Sequence, residues 1–274
     1  MARLTIVEHK AAMSDIAAER ITALVEGAVA SRGVAAVSLT GGSTPDLLYE
    51  RLADSDRPWR HRIDWARLHV FWGDEREVPP DHPESNYGLA HRLLLQHVPI
   101  PDTQVHRMRG ELPASDAGRL YDAVLRARRD QTAGPLFDVM LLGIGENAHI
   151  ASIFPESPIL AALSGRDDIP DDHADLEAAR HAFRARQPRE LATGVAVPEI
   201  GTWRITMTPP ALVDSAAIVM IAAGASKAGA IAAAIDGPLD VFRYPAQLLR
   251  VAGDRVEWII DAAAAARLRA APRA

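Results

Sequence analysis

The stretch Val34-Ala35-Ala36-Val37-Ser38-Leu39-Thr40-Gly41-Gly42-Ser43-Thr44-Pro45-Asp46 decides the fold. A short β-prone run, Val34–Leu39, stops at a glycine-rich turn, and a helix is expected through Asp46–Leu52. Strand, turn and helix in that order open a βαβ unit. Upstream, Leu4–Val7 reads as a strand and Ala11–Ser31 as a helix ending near Gly33. Downstream the alternation continues. Strands are expected at Leu68–Trp72, Phe137–Leu142, Ile205–Met207, Ala217–Ala222 and Val256–Ile260. Helices are expected at Asn86–Gln96, Asp116–Arg129 and Ser226–Ile235, with an Ala-rich helix at the C-terminus. Several strands are apolar on both faces, as a sheet covered on both sides requires. The expectation is an α/β, Rossmann-like fold with a mostly parallel sheet and helices on both faces. In such a sheet the functional loops lie at the carboxyl ends of the strands.

The 274 residues are 48% apolar and 24% charged, ordinary for a globular protein and sufficient for one domain spanning 1–274. The net charge of −6 disfavours a broad grip on nucleic acid. No apolar run is long enough to span a membrane, and the N-terminus lacks the pattern of a signal peptide, so a cytoplasmic protein is expected. The absence of cysteine excludes disulfides, thiolate catalysis and Cys-ligated metal. The ten histidines are scattered without an HExxH pair, so a metal site is not expected either. Of the 30 basic residues only Lys10 and Lys227 are lysine, which makes each of them worth explaining. One segment, Gly165–Leu191, turns from acidic to basic and reads as a charged, solvated insertion.

Four strand ends carry unusual residues. In the first, Gly41 and Gly42 let the backbone approach a ligand, Ser43 and Thr44 add hydroxyls, and a helix N-terminus follows. On physics alone this reads equally as a phosphate site or as a tight turn. In the second, Gly73-Asp74-Glu75-Arg76 follows a strand, and Asp74 and Arg76 face the same side of an extended loop. They could orient hydroxyls and hold an anion, or form a surface ion pair of little worth. Ser85-Asn86-Tyr87 downstream reads as a helix cap. In the third, His149 follows the glycine-hinged end of a strand, where a neutral imidazole can take a proton from water. Ser152 follows it by three residues without a nucleophile elbow. In the fourth, Ser226-Lys227 opens a helix, where an ammonium suits a phosphate. Arg204 stands just before another strand.

Taken together these loops resemble the 6-phosphogluconolactonase family. The resemblance runs from SLTGGSTP through FWGDEREVPPDHPESNYG and LLGIGENAHIASIFP to RITMTPPAL, AAGASKAGAI and YPAQLL. It implies hydrolysis of 6-phospho-D-glucono-1,5-lactone to 6-phospho-D-gluconate in the oxidative pentose phosphate pathway, with no metal or nucleotide cofactor. It makes His149 the general base, lets Asp74 and Arg76 position the substrate, and lines the pocket with Gly41, Gly42, Ser43 and Thr44. Arg204 and Lys227 would hold the 6-phosphate. The implied partner is the sugar-phosphate lactone alone, with no nucleic acid or membrane, and the implied state is a monomer or small homo-oligomer.

The histidine loop departs from the family's usual Gly-x-Gly-x-Asp/Glu-Gly-His: Asn147 replaces the acid and Ala148 the glycine. Asn147 can orient a neighbour but cannot stabilise an imidazolium by charge, and Ala148 is ill suited to positive φ. Glu146 or Asp74 could then supply the missing carboxylate. Two alternative readings follow. One is a catalytically weakened sugar-phosphate-binding homologue. The other is a glucosamine-6-phosphate deaminase/isomerase-like enzyme, which shares the glycine loops but needs the absent acid.

Overall fold

The computed structural model describes residues 2–157, 159–160 and 190–269. Among them run β1 (Arg3–Val7), β2 (Ala35–Leu39), β3 (Leu68–Trp72), β4 (Asp74–Arg76), β5 (Phe137–Leu142), β6 (Ala192–Val197), β7 (Thr202–Met207), β8 (Ser215–Ala222) and β9 (Val256–Asp261). The helices are α1 (Lys10–Arg32), α2 (Asp46–Ala53), α3 (Pro58–Arg62), α4 (Asn86–Leu93), α5 (Ala114–Gln131), α6 (Pro209–Val213) and α7 (Ala228–Asp236).

Six strands pair in the order β1-β9-β8-β5-β2-β3, all parallel. The period-2 alternation of their side chains divides the apolar residues between two cores. Phe71, Met140, Leu142, Ile218, Met220 and Trp258 enter one face, against Ala117, Tyr121 and Leu125 of α5. Val37, Val70, Val139, Leu141, Val219 and Ile221 enter the other, against Met13, Ala17, Ile21 and Val25 of α1. The expected α/β architecture, with helices on both faces, is what the chain forms. Asp138 interrupts the apolar run of β5 with a purpose: its carboxylate accepts from the Ala36 amide at 2.8 Å and pairs with Arg32.

From β2 the chain moves outward to β3, then returns to β5 and proceeds through β8 and β9 in the opposite direction. The direction therefore switches between β2 and β5. At such a point the loops leaving adjacent carboxyl ends diverge to opposite faces and open a crevice. The loops after β8, β5, β2 and β3 leave four neighbouring strands, so all four unusual stretches share one edge. Two buried tyrosines hold strand ends there. Tyr49 donates to the Thr40 carbonyl at 2.5 Å and accepts from its amide at 3.1 Å. Tyr121 accepts from the Trp72 amide at 2.9 Å.

The structure corrects three expectations. The strand containing Ile205–Met207 starts at Thr202 and lies in a separate three-stranded antiparallel sheet, β4-β7-β6, not in the parallel one. Its partner β4 is only the charged tripeptide Asp74–Arg76, too short to show a period. The Ala-rich stretch after β9 forms turns through residue 267 instead of a helix. Asp261 takes the amides of Ala264 and Gly224 on its carboxylate and that of Ala265 on its carbonyl. This draws Ala264 and Ala265 into the core, and so short an alanine run cannot nucleate a free helix. The helix expected at Ser226–Ile235 begins as a 3₁₀ turn, Ala225–Lys227, before α7. The charged segment Gly165–Leu191 lies outside the described residues except at its last two positions. No helix among the described residues is long and apolar enough to cross a membrane.

Candidate active site

The four loops surround a cleft of about 460 Å3. Gly41, Gly42, Ser43, Thr44, Asp74, Arg76, Glu146, Asn147, His149 and Lys227 all line it, so stretches far apart in the chain meet on one surface. Arg204 is not on the lining. It stands beside Arg76, its register partner across the antiparallel sheet.

The loop after β5 builds the histidine site. Its turn is closed by the Ala148 amide donating to the Gly145 carbonyl at 3.0 Å and the Gly145 amide donating to the His149 carbonyl at 2.9 Å. A Cβ on Gly145 would fall 2.0 Å from Nδ1 of His149, so only glycine lets the ring lie back over the turn. Among the described residues three non-glycines have positive φ, and all belong to this loop: Ala148 (65°), Ala151 (47°) and Glu156 (57°). Ala148 thus adopts the conformation its side chain disfavours. Its methyl is fully buried and its carbonyl accepts from the Ala246 amide at 2.9 Å, contacts that offset the strain.

The His149 ring stacks on Phe154 with centroids 4.1 Å apart, and Nδ1 lies 2.7 Å from Oδ1 of Asn147. Asn147 Nδ2 in turn donates to both carboxylate oxygens of Glu199 at 3.2 Å. Burial is the main reason the His149 pKa falls to about 4. Asp74 opposes that fall, while Lys227, Arg204 and Arg76 reinforce it. The imidazole is therefore neutral at pH 7, with Nδ1 engaged by an acceptor and Nε2 holding the lone pair. Glu146, one of the two carboxylates expected to assist, is exposed and makes no hydrogen bond to the ring.

Asp74, the other, is buried and committed elsewhere: Oδ2 accepts from Ser152 Oγ at 2.6 Å and Oδ1 from Asn86 Nδ2 at 3.1 Å. Ser152 therefore serves Asp74 rather than the histidine. Asn86 packs against the first loop so closely that a Cβ on Gly41 would sit 1.7 Å from its Oδ1. The expected cap at this helix is present, since Ser85 Oγ accepts from the Gly88 amide at 2.9 Å. Glu75 strengthens it by accepting from the Asn86 and Tyr87 amides at 2.7 and 2.8 Å. Burial nevertheless outweighs these bonds and raises the Glu75 pKa.

The cations are placed against their own interests. Arg76 and Arg204 face each other across β4 and β7, and like charges in that register repel. Burial, then Arg76, lowers the Arg204 pKa, and the Nε atoms of both arginines are buried with no hydrogen-bond partner among the described residues. Arg76 reaches the Glu84 carbonyl through Nη1. Lys227 Nζ pairs with no carboxylate among the described residues. Three cations with so little compensation among the described residues could together hold an anion. Lys10, for which the sequence offered no role, donates through Nζ to the Ser43 carbonyl at 2.6 Å and to Asp46 at 2.5 Å. It ties the glycine loop to the start of α2, so both lysines of the chain serve the same cleft.

Sequence reasoning missed Lys10, Phe154, Glu199 and the cleft-facing role of Asn86. Phe154 was visible as an aromatic five residues after His149. Glu199 had no local signal, because it arrives through the β6–β7 turn, 52 residues from Asn147.

A neutral histidine and a cluster of cations without carboxylate partners among the described residues, at the switch point of a parallel α/β sheet, fit a class: proteins that act on a small anionic molecule. Its relatives narrow it. A model of glucosamine-6-phosphate isomerases/6-phosphogluconolactonase matches residues 8–258, and the chain belongs to that family. It is 34% identical to a 6-phosphogluconolactonase of Synechocystis sp. over 91% of both chains. It is 36% identical to one of Mycobacterium tuberculosis over 92% of both. The solved structure of a devB protein superposes with a TM-score of 0.77 at 29% identity, covering 97% of this chain and 99% of that one.

Proposed function

We propose that this chain hydrolyses 6-phospho-D-glucono-1,5-lactone to 6-phospho-D-gluconate, the step that opens the lactone in the oxidative pentose phosphate pathway. The observation that carries the reading is a neutral His149, its Nε2 without a hydrogen-bond partner among the described residues, within the field of Arg76, Arg204 and Lys227. The relatives named 6-phosphogluconolactonase, matched over nine-tenths of their length, support the choice of substrate.

In this reading Lys227 and Arg204 hold the 6-phosphate, and Arg76 and Asp74 orient the substrate. The lactone ring lies over Gly41, Gly42, Ser43 and Thr44. His149 Nε2 takes a proton from a water as that water attacks the lactone carbonyl carbon. The resulting oxyanion develops within reach of loop donors and the cationic field. When the tetrahedral intermediate collapses, the bond to the ring oxygen breaks and the imidazolium returns its proton to that oxygen. A lactone is an activated ester, so a single base and a positioned water suffice, and no step needs a metal.

The test is turnover of freshly prepared 6-phosphogluconolactone above its spontaneous hydrolysis, followed by coupled NADPH formation, with unphosphorylated gluconolactone in parallel. The phosphorylated lactone is expected to be strongly preferred. Enzyme that adds nothing to the spontaneous rate but still binds 6-phosphogluconate would leave only the binding reading.

A further inference from the structure

The carboxylate missing from the histidine loop is present one hydrogen bond further out. The chain of contacts runs Glu199 to Asn147 to His149: Asn147 Nδ2 donates to Glu199 at 3.2 Å, and Asn147 Oδ1 meets His149 Nδ1 at 2.7 Å. Its direction is fixed by chemistry. A carboxylate only accepts, so it must face the amide nitrogen of Asn147. That leaves the amide oxygen toward the ring, and an amide oxygen also only accepts, so Nδ1 must carry the hydrogen. Nε2 is then the basic nitrogen. The His149 backbone amide, 3.3 Å from the same Oδ1, points the same way.

Without Glu199 the amide of Asn147 could turn over, present Nδ2 to the ring and trap the opposite tautomer, in which Nε2 is protonated and cannot act as a base. We propose that Glu199 is a positioning residue that sets the tautomer of His149 through the orientation of Asn147. The proposal rests on the lactonase reading for its consequence, but the tautomer is a property of the protein alone. Glu199 is solvent-exposed, so water screens its charge and its part is direction rather than electrostatic stabilisation of the imidazolium.

The geometry also sets a trap for the simplest replacement. In Asn147→Asp the new carboxylate oxygen would take the place of Nδ2, 3.2 Å from both oxygens of Glu199. Two carboxylates at that distance repel or share a proton, and the ring loses a well-placed partner. Adding Glu199→Gln relieves the conflict. The amide it introduces can donate to the new carboxylate at position 147, which still accepts from Nδ1.

The effect of Glu199→Gln should therefore reverse sign between the two backgrounds. With Asn147 present, Glu199→Gln is expected to lower kcat roughly tenfold with little change in KM, the size typical of an outer orienting partner. In the Asn147→Asp background, the same change is expected to raise kcat several-fold, in the manner of a coupled pair. A residue that merely supports the fold would lower activity in both backgrounds.

The second readout is independent of turnover. Nitrogen-15 NMR of the His149 ring in the full chain, assigned by comparison with His149→Gln, is expected to show a single Nδ1–H tautomer at neutral pH. Glu199→Gln should give a tautomer mixture, and combining it with Asn147→Asp should restore the single form. An unchanged tautomer in Glu199→Gln, or a kcat change of the same sign in both backgrounds, overturns the proposal. If the wild-type chain shows no lactonase turnover, the functional reading fails while the spectra still decide the role of Glu199.

Discussion

Oδ1 of Asn147 lies 2.7 Å from Nδ1 of His149, inside a pocket where the ring also stacks on Phe154. The contact leaves Nε2 as the only ring nitrogen able to take a proton, and burial keeps that nitrogen unprotonated at neutral pH. The pH dependence follows directly.

Burial lowers the His149 pKa to about 4, so the base form persists well below the range of an ordinary histidine. The acid limb of kcat/KM is expected near pH 4, not near the ordinary value of 6.5. A limb at the ordinary value in a pH–rate profile corrected for spontaneous hydrolysis would show that the ring is solvated in the free enzyme. The same shift acts on folding. In the unfolded chain His149 and His106 take up protons near 6.5, whereas burial lowers both to about 4 in the folded state. The unfolded state therefore binds more protons as pH drops from about 6.5 toward 4, and stability is lost in that window. Urea midpoints at pH 7 and pH 5 should differ accordingly.

Removing one of two opposed arginines separates stability from binding. Arg204→Met deletes a half-buried charge that repels Arg76, with the alkyl stem roughly replaced. Without ligand the variant is expected to melt at or above the wild-type temperature. Its KM for the phosphorylated lactone should rise about ten- to a hundredfold, the worth of a charged hydrogen bond. A variant that is both less stable and unimpaired in KM would contradict the assignment of this pair to an anion.

Lys227→Ala should raise KM for the phosphorylated lactone far more than for the free one, because its ammonium has no carboxylate partner among the described residues to lose. Lys10→Met should act more mildly. Lys10 does not line the cleft but ties Ser43 to Asp46, and it is about one-third exposed, so a several-fold rise in KM with kcat nearly unchanged is expected. Steady-state kinetics on both lactones distinguish the two lysines.

Ala148→Gly tests how the strained loop is supported. Glycine relieves about 1 kcal/mol of left-handed strain. It also gives up a buried methyl worth about 0.8 kcal/mol and frees the unfolded chain by about 0.4–1 kcal/mol. These terms nearly cancel, so the change in unfolding free energy is expected within about 1 kcal/mol of zero, slightly destabilising. A gain well beyond that in denaturant unfolding would mean that the packing around Ala148 contributes little.

The parallel sheet was legible because its strands are short apolar runs that each stop at glycine or a charged turn, as in Phe137–Leu142 before Gly143. The candidate site was legible, as residues that meet in one cleft, where chemistry sits at such a stop: His149, Asp74, Arg76 and Lys227 all do. The antiparallel sheet was not, because β4 is three charged residues with no apolar period to mark its pairing with β7. Arg204 was therefore placed with the cationic group but not in register beside Arg76. The roles of Lys10 and Glu199 depend on contacts spanning 33 and 52 residues, for which no local pattern exists. The C-terminal alanines show the opposite failure, where helix propensity was clear but the bonds of Asp261 prevailed.

The central claim is that His149 is the base that activates water. Its most direct test is kcat of His149→Ala against wild type on fresh 6-phosphogluconolactone, with circular dichroism and 6-phosphogluconate binding measured on the same samples. The account predicts a loss of at least about a hundredfold in kcat, with folding and ligand affinity retained. A folded His149→Ala enzyme that turns over at the wild-type rate would contradict it.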